Sequence, residues 1–278
     1  IHWQDGEVEY HWDDTTSGSC NGWDYLHTEN WHLCPDKDQY IPFGSPLNTS
    51  LAQKISSFKI TSDDDPDYGS AGKQPGRIYR KSKVWEAAHD ERKAVMHHWI
   101  YLELPSPMQH GKSYHIEMDE NLNAGEQLKV FNFNEFSNVS PSVNISNAGY
   151  EVNAAHKSAD VYAWMGDGGE RNFSRFTGAP WHLYDINAEN IVYTGELNFR
   201  MPNRAEPGVD FDLTGADVWE CDFSTFNKAG KYRLVIEGIG CSPVFTIGSN
   251  QFSELFKVAM QGMFYQRMGC EEKPAGDF

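Results

Sequence analysis

Hydrophobic and polar residues alternate with a period of two over much of the middle of this 278-residue chain. The alternation predicts strands at residues 98–104 and 113–118, because successive side chains of a strand point to opposite faces. Residues 105–111 contain two prolines and a glycine, so we expect these two strands to form a hairpin. A further strand is predicted around Val130 and Phe131. These strands define a first, Trp-rich β-sandwich-like domain at residues 1–137.

A second set of short strands follows a polar boundary region at residues 137–147. The pattern predicts strands at residues 158–164, 181–185, 191–198, 218–223, 231–237 and 244–247. Turn-forming Gly, Asn, Asp and Pro residues fill the gaps, and a spacing of about 10 residues is typical of a β-sandwich. Tyr232, Leu234 and Ile236 share the predicted inner face. We place this second, immunoglobulin-like domain at residues 138–248, and the lack of βαβ alternation argues against a parallel sheet.

The last segment has helical periodicity instead. Residues 251–268 predict a helix with one apolar stripe, formed by Phe252, Leu255, Phe256, Ala259 and Met263. Further apolar residues widen the surface beyond that stripe: Val258, Met260, Phe264 and Tyr265. A helix that is apolar on more than one side needs neighbours on more than one side. We therefore interpret residues 249–278 as the first helix of a helical domain whose remainder lies outside this sequence, contacted through Leu255, Phe256, Met260 and Phe264.

Composition narrows the possible partners. Charged residues make up 23% and hydrophobic residues 39% of the chain, which is ordinary for a folded protein. The net charge of −17 disfavours nucleic acid and anionic membranes, because both would repel the chain. A neutral polysaccharide would not be repelled. No apolar run approaches the roughly 20 residues that span a bilayer, and the start at Ile1 is consistent with a processed N-terminus.

The cysteines indicate an oxidising compartment. Cys20 and Cys34 bracket a short polar loop, and a disulfide between them would stabilise the fold by about 3 kcal/mol. Cys221 and Cys241 flank a predicted hairpin and form the second predicted disulfide. Cys270 is left over, with a partner expected outside this sequence. The alternative interpretation is five reduced, buried thiols.

Four N-x-S/T tripeptides support the same compartment. They begin at Asn48, Asn138, Asn144 and Asn172. Pro141 follows the second tripeptide, so we predict N-glycosylation at the other three asparagines. Together with the cysteines, they predict a secreted, extracellular protein.

A cluster of aspartates raises the question of a calcium site. Asp63, Asp65 and Asp67 alternate, as the oxygen ligands of Ca²⁺ do in loops. An EF-hand requires Gly where Tyr68 stands and Glu where Gln74 stands, so an EF-hand is excluded. A looser calcium loop and a solvated acidic turn both remain open. Calcium is the one cofactor that the sequence suggests.

Tryptophans are concentrated in the first stretch, where Trp3, Trp12, Trp23 and Trp31 occur. Their flat rings suit the C–H faces of pyranose sugars. The alternative is that a small, loop-rich region uses tryptophan as its core. The eleven histidines predict no metal centre, because the adjacent His97–His98 pair would point to opposite faces of a strand.

Several segments of the second half resemble glycoside hydrolase family 9. In the order of that family they are Ser142–Tyr150 ending in GY, KSADVYA from Lys157, IVYTGEL from Ile191, DFS from Asp222, GKY from Gly230, GIGCSPVF from Gly238, FYQR from Phe264 with Gly269, and KPAG from Lys273. Those from Ser142 to Phe245 resemble the family's immunoglobulin-like domain. The last two resemble the first helix of its (α/α)6 catalytic barrel and the loop after it. The resemblance covers about half of the chain.

The resemblance implies a non-catalytic role for this chain. Family members use an aspartate pair in a D-A-G-D loop and a distant glutamate, and hydrolysis with inversion needs the two carboxyl functions apart with water between. No D-A-G-D occurs here; the segment Gly166–Gly169 is a turn at a strand end. We therefore assign no catalytic residue, and expect the catalytic carboxylates to lie beyond Phe278.

The sequence thus predicts a mainly β chain of two tandem β-sandwich domains and one C-terminal α-helix. Its predicted function is the non-catalytic N-terminal portion of a secreted family 9-like glycoside hydrolase, an endo-β-1,4-glucanase or cellulase, whose partners are its helical domain and polysaccharide. Two alternatives remain. One is a carbohydrate-binding extracellular β-sandwich protein without enzyme activity, and the other is a structural protein that self-assembles through its exposed helix.

Overall fold

A computed structural model gives the fold of the chain. It describes residues 1–4, 7–11, 17–20, 23–26, 39–43, 46–87, 94–124, 126–204 and 212–266, with the backbone alone at residues 2–43. The described chain forms two compact units. Unit 1 comprises residues 1–133 and 165–169, and unit 2 comprises residues 134–164 and 170–278.

The described part of unit 1 contains ten strands and a single turn of α-helix. The strands are β1 (His2–Gln4), β2 (Glu7–His11), β3 (Ser17–Cys20), β4 (Trp23–Leu26), β5 (Gln39–Phe43), β6 (Phe58–Thr61), β7 (Arg77–Ala87), β8 (Ala94–Glu103), β9 (Ser113–Met118) and β10 (Leu128–Asn132). Helix α1 (Thr49–Ala52) precedes β6. The strands form two three-stranded sheets, β1-β8-β7 and β10-β9-β6, and two ribbons, β2-β5 and β3-β4.

The two three-stranded sheets share one hydrophobic core. Ile100 of β8 is buried in the same cluster as Ile60 of β6 and Tyr114 of β9, and Ile78 of β7 packs against it. Alternation along β8 therefore sends Ile100 inward and its neighbours Trp99 and Tyr101 outward.

The predicted hairpin between residues 98–104 and 113–118 is wrong. Both segments are strands, β8 and β9, and β9 has the predicted bounds. However, β8 pairs with β1 and β7, whereas β9 pairs with β6 and β10. The connector at residues 105–111 joins strands of different sheets. Alternation alone predicts a strand and its buried face, but it does not identify the partner strand.

Unit 2 carries the second set of strands and the C-terminal helix. The strands are β11 (Val143–Asn144), β12 (Tyr150–Glu151), β13 (Ser158–Val161), β14 (Pro180–Asp185), β15 (Asn190–Glu196), β16 (Asn198–Met201), β17 (Val218–Asp222), β18 (Gly230–Ile236), β19 (Gly240–Cys241) and β20 (Phe245–Gly248). One sheet has the order β11-β13-β17-β16, and the other has the order β12-β20-β18-β14-β15 with β19 beside β18. The named strands of unit 2 pair antiparallel, except that β12 pairs parallel with β20.

Both sheets of unit 2 contribute to one core, so the unit is a β-sandwich. Trp219 of β17 is buried with Trp181 of β14 and with the inner face of β18, on which Tyr232, Leu234 and Ile236 are each at most 2% exposed. This confirms the predicted inner face. The mainly β fold class is likewise confirmed, with a β-sandwich in unit 2 and one substantial helix among the described residues.

The C-terminal helix α2 runs from Ser253 to Tyr265, inside the predicted range of 251–268. None of its thirteen residues is buried. No helix within the described ranges is long and apolar enough to cross a bilayer.

Candidate functional site

The residues of the sequence motifs in unit 2 form contacts that hold the sandwich together. Tyr150 of the GY pair donates its hydroxyl to the carbonyl of Ser158 at 2.5 Å and packs edge-on against Phe223 and Phe245. Its neighbour Gly149 has a φ of +76°, and a Cβ there would clash with a backbone carbonyl of β20. Glycine adopts this conformation without steric cost. The GY pair therefore closes one end of the sandwich.

Lys157 of the KSADVYA segment is fully buried. Its Nζ donates to the carbonyls of Val152 at 3.2 Å and Ala154 at 3.0 Å, and to Oδ1 of Asn227 at 3.1 Å. Burial lowers the pKa of the Lys157 ammonium, whereas Asp222 nearby raises it. The ammonium thus uses its three protons to hold loops together.

Tyr232 of the GKY segment forms a tyrosine corner, an arrangement common in immunoglobulin-like sandwiches. Its hydroxyl lies 3.2 Å from the carbonyl of Lys228 and 3.3 Å from that of Ala229. Burial raises the pKa of the Tyr232 phenol. Gly230 permits this corner, because a Cβ there would lie 2.5 Å from the Tyr232 hydroxyl. The motif is a structural one.

Residues 138–241 match the family described as the cellulase N-terminal ig-like domain. Endoglucanase D of Acetivibrio thermocellus is 37% identical over 79 residues, which cover 28% of this chain and 11% of that relative. The chain therefore spans about a tenth of the length of the curated relative that it matches. Within the matched residues, the motif residues described above have structural roles.

Two solved structures are also similar to this chain. A metagenome-derived glycoside hydrolase family 9 endoglucanase shares 18% identity over 48% of this chain and 22% of its own, with a TM-score of 0.36. Bacteroides ovatus GH9 shares 20% identity over 45% of this chain and 19% of its own, with a TM-score of 0.33.

The predicted disulfide between Cys221 and Cys241 is not formed in the structure. Both residues are buried free thiols. Cys221 lies in β17 opposite Ala159, whereas Cys241 lies in β19 opposite Val235, so they belong to different sheets of the immunoglobulin-like domain. Burial raises the pKa of both thiols.

The other cysteine predictions fall outside what the structure describes. Cys34 and Cys270 are not among the described residues, and of Cys20 only the backbone is described. The bridge between Cys20 and Cys34 and the partner of Cys270 therefore remain predictions.

The aspartates proposed for calcium do not converge. Asp65 is buried, and its carboxylate accepts hydrogen bonds from the Tyr114 hydroxyl at 2.6 Å, Gln109 Nε2 at 3.3 Å and the Asp67 amide at 3.0 Å. Asp63 is exposed. Within the described ranges no group of three or more His, Cys, Asp or Glu side chains could hold a metal ion. The predicted calcium loop is corrected to an acidic turn anchored by one buried carboxylate.

The three asparagines predicted to carry glycans differ in their surroundings. Asn48 caps α1, with its Oδ1 accepting from the Leu51 amide at 3.2 Å. Asn144 is part-buried, and its Nδ2 donates to the Ser142 carbonyl at 3.2 Å. Asn172 is exposed on the surface of the immunoglobulin-like domain. Exposure of the amide nitrogen favours glycosylation, so Asn172 is the best placed of the three.

Aromatic side chains on the outer face of β7 and β8 form a feature that the sequence analysis did not single out. Trp85 is 61% exposed and stacks on His97, with ring centroids 4.4 Å apart and planes 6° from parallel. The Lys81 ammonium lies 5.0 Å from the ring centroid of Trp99 and 5.9 Å from that of Tyr101. The alternation in the sequence already placed Trp99 and Tyr101 on one face of a strand. It did not show that this strand pairs with the one that carries Lys81 and Trp85.

The side chains of the four tryptophans predicted to form a sugar site lie outside what the structure describes. Trp3 and Trp23 lie in β1 and β4, where the backbone alone is described, and Trp12 and Trp31 lie outside the described residues. Their proposed role in sugar binding therefore remains a prediction.

The residues predicted to contact a helical domain all lie on α2 and all are open to solvent. Leu255, Phe256, Met260 and Phe264 are between 48% and 65% exposed. Burying one such side chain stabilises a protein by about 1.5–3 kcal/mol. An isolated helix of about 12–15 residues is marginal in water. This apolar helix surface is the candidate interface of unit 2.

Proposed function

We propose that this chain is the non-catalytic N-terminal portion of a secreted, family 9-like glycoside hydrolase that cleaves β-1,4-glucan. In this proposal the domains are residues 1–137, 138–248 and 249–278, and the last is the first helix of an (α/α)6 catalytic barrel. The immunoglobulin-like domain supports that barrel, and the catalytic carboxylates are supplied by the barrel. Secretion, N-glycosylation and the cysteine bridge near the N-terminus belong to the same proposal.

The observation that carries the proposal is the apolar surface of α2, directly after a cellulase-type immunoglobulin-like domain. Exposed apolar patches of this kind mark interaction sites. The helix has only a short polar end, with Glu254 and Lys257 paired at 2.6 Å. Its remaining stability has to come from packing, because helices in proteins are stabilised mainly through their apolar faces. A helical domain of the same polypeptide fits this requirement.

The proposal is tested on the 278-residue chain with the dye ANS and with light scattering. We expect the chain to bind ANS or to associate with increasing concentration. The variant carrying Phe256→Ser and Met260→Ser should lose both signals, while Gln261→Ser, on the same helix, should keep them. A monomeric chain that does not bind ANS would contradict the proposed interface.

A second test separates an enzyme from a self-assembling protein. The coding sequence of the source gene is read past codon 278, and its full product is assayed on soluble cellulose. We expect further codons that include a D-A-G-D segment, since inverting hydrolysis needs a pair of carboxyl groups. A stop codon after Phe278, together with reversible association of the chain, would instead favour the structural alternative.

A further inference from the structure

We propose that the outer face of the sheet β1-β8-β7 binds neutral polysaccharide through an aromatic strip, defined as Trp85, His97, Trp99 and Tyr101. The inference rests on the proposed function and deepens it, because it names a substrate-binding surface in unit 1. It differs from the predicted sugar site at the N-terminal tryptophans.

The strip is ordered by the strand register. His97, Trp99 and Tyr101 occupy alternate positions of β8, so they share one face. That face is the outer one, because the intervening His98 and Ile100 are each 3% exposed. From residue 97 to residue 101 the strand extends about 13 Å, at 3.3 Å per residue. This length suits an oligosaccharide better than a single sugar.

A β-bulge aims the fourth ring at the same face. The register between β7 and β8 shifts between Val84 and Glu86, which leaves Trp85 as the extra residue. Bulges commonly redirect a side chain in this way. The indole of Trp85 consequently stacks on His97.

Stacking on His97 holds the indole of Trp85 in an orientation that leaves its other face open to a flat ligand. Its indole rests on the imidazole with one face, and it is still 61% exposed to solvent. A rigid aromatic anchor loses little conformational entropy on binding. The C–H face of a pyranose ring packs well on such a surface.

Charge and polar groups favour a neutral polymer. The net charge of −17 opposes anionic chains. Lys81 lies beside the Trp99 and Tyr101 rings, where an ammonium group can donate to sugar hydroxyls while it remains over an aromatic face. The strip therefore combines stacking surfaces with a donor, as sugar sites require.

The test titrates the 278-residue chain with cellohexaose, xylohexaose and mannohexaose, followed by tryptophan fluorescence and calorimetry. We expect one of these neutral oligosaccharides to bind, and Trp85→Ala to weaken its affinity by about tenfold or more, since aromatic anchors dominate such surfaces. Lys81→Met should weaken binding less. Trp164→Ala removes a 47% exposed tryptophan in unit 2 and should leave the affinity unchanged.

Three results would overturn the inference: no binding of any neutral oligosaccharide, equal affinity of Trp85→Ala and the parent chain, or salt-sensitive binding of polygalacturonate alone. Circular dichroism of Trp85→Ala verifies the fold, which should persist because the side chain is exposed. These titrations use no catalytic activity and no change in α2. Their failure would leave the proposed role of α2 untouched, and failure of the α2 tests would leave the strip untouched.

Discussion

The ring of Trp181 on β14 lies directly over Gly195 on the adjacent strand β15. The two residues are register partners, and a Cβ on Gly195 would clash with the six-membered ring of the indole. Trp181 is fully buried and packs against Tyr193 and Phe223. The glycine of the IVYTGEL segment thus provides the space that the central tryptophan of the sandwich occupies.

We expect Gly195→Ala to destabilise unit 2 by about 1–3 kcal/mol, the usual cost of overpacking a filled core. Urea unfolding followed by tryptophan fluorescence measures the change. Gly262→Ala is the matched control, because nothing lies within 4 Å of the added methyl group on the exposed helix α2. Equal stability of the two variants would contradict the proposed role of Gly195.

The buried Lys157 leads to a second prediction. Lys157→Met keeps the length of the side chain but leaves two carbonyls and the Asn227 amide oxygen without their donor. Buried acceptors without partners cost about 1–3 kcal/mol, so we expect unit 2 to lose stability by that amount. Lys231→Met, at an exposed position of β18, should change stability by less than about 0.5 kcal/mol. Thermal unfolding of both variants decides the matter.

In unit 1 the buried carboxylate of Asp65 gives a third prediction. Asp65→Ala removes the acceptor of the Tyr114 hydroxyl, and burial together with the bond to Asp65 raises the pKa of that phenol. We expect a loss of about 1–3 kcal/mol, against no loss for the exposed Asp63→Ala. Because the carboxylate is already occupied, calcium or EDTA should leave the melting temperature of unit 1 unchanged. Stabilisation by calcium would revive the calcium loop.

The sequence predicted β13, β14 and β20 of unit 2 well because buried and less buried side chains alternate along each of them. Residues 231–237 became β18 with the predicted inner side chains, within one residue at each end. The motif residues were identified as well, but their roles depend on contacts between segments that are distant in sequence. The sequence alone gives no reason why Gly195 must be small until Trp181 is found opposite it.

Pairing across distant segments was less predictable. The strands at residues 98–104 and 113–118 are close in sequence and therefore suggested a hairpin, yet each pairs with strands elsewhere in unit 1. Trp85 was missed for the same reason, since its stacking on His97 depends on the pairing of β7 with β8 and on the bulge. The cysteine pair failed similarly, because proximity along the chain does not determine the distance between two thiols.

The two buried thiols lead to a final prediction, on pH. Burial raises the pKa of Cys221 well above its ordinary value of 9.0. In the unfolded chain this thiol ionises from about pH 9 upward, whereas in the folded domain it stays protonated. The unfolded state then binds fewer protons, so the free energy of unfolding falls as pH rises. Cys221 therefore makes its full contribution to the free energy of unfolding below pH 9. This contribution decreases by about 1 kcal/mol between pH 9 and pH 10.

Cys221→Val removes this titration with a side chain of similar volume. We expect its free energy of unfolding, measured by urea titration under reducing conditions, to fall less steeply than that of the parent chain between pH 9 and pH 10. Lys157 makes the free energy of unfolding rise with pH, because burial lowers the pKa of its ammonium. This effect is the same in Cys221→Val and in the parent chain, so it cancels when their slopes are compared. Val161→Ala, a buried change without a titratable group, should lower stability equally at every pH. If Cys221→Val and the parent chain had the same slope, the thiol would have to ionise as readily in the folded domain as in the unfolded chain, which its burial in the sandwich opposes.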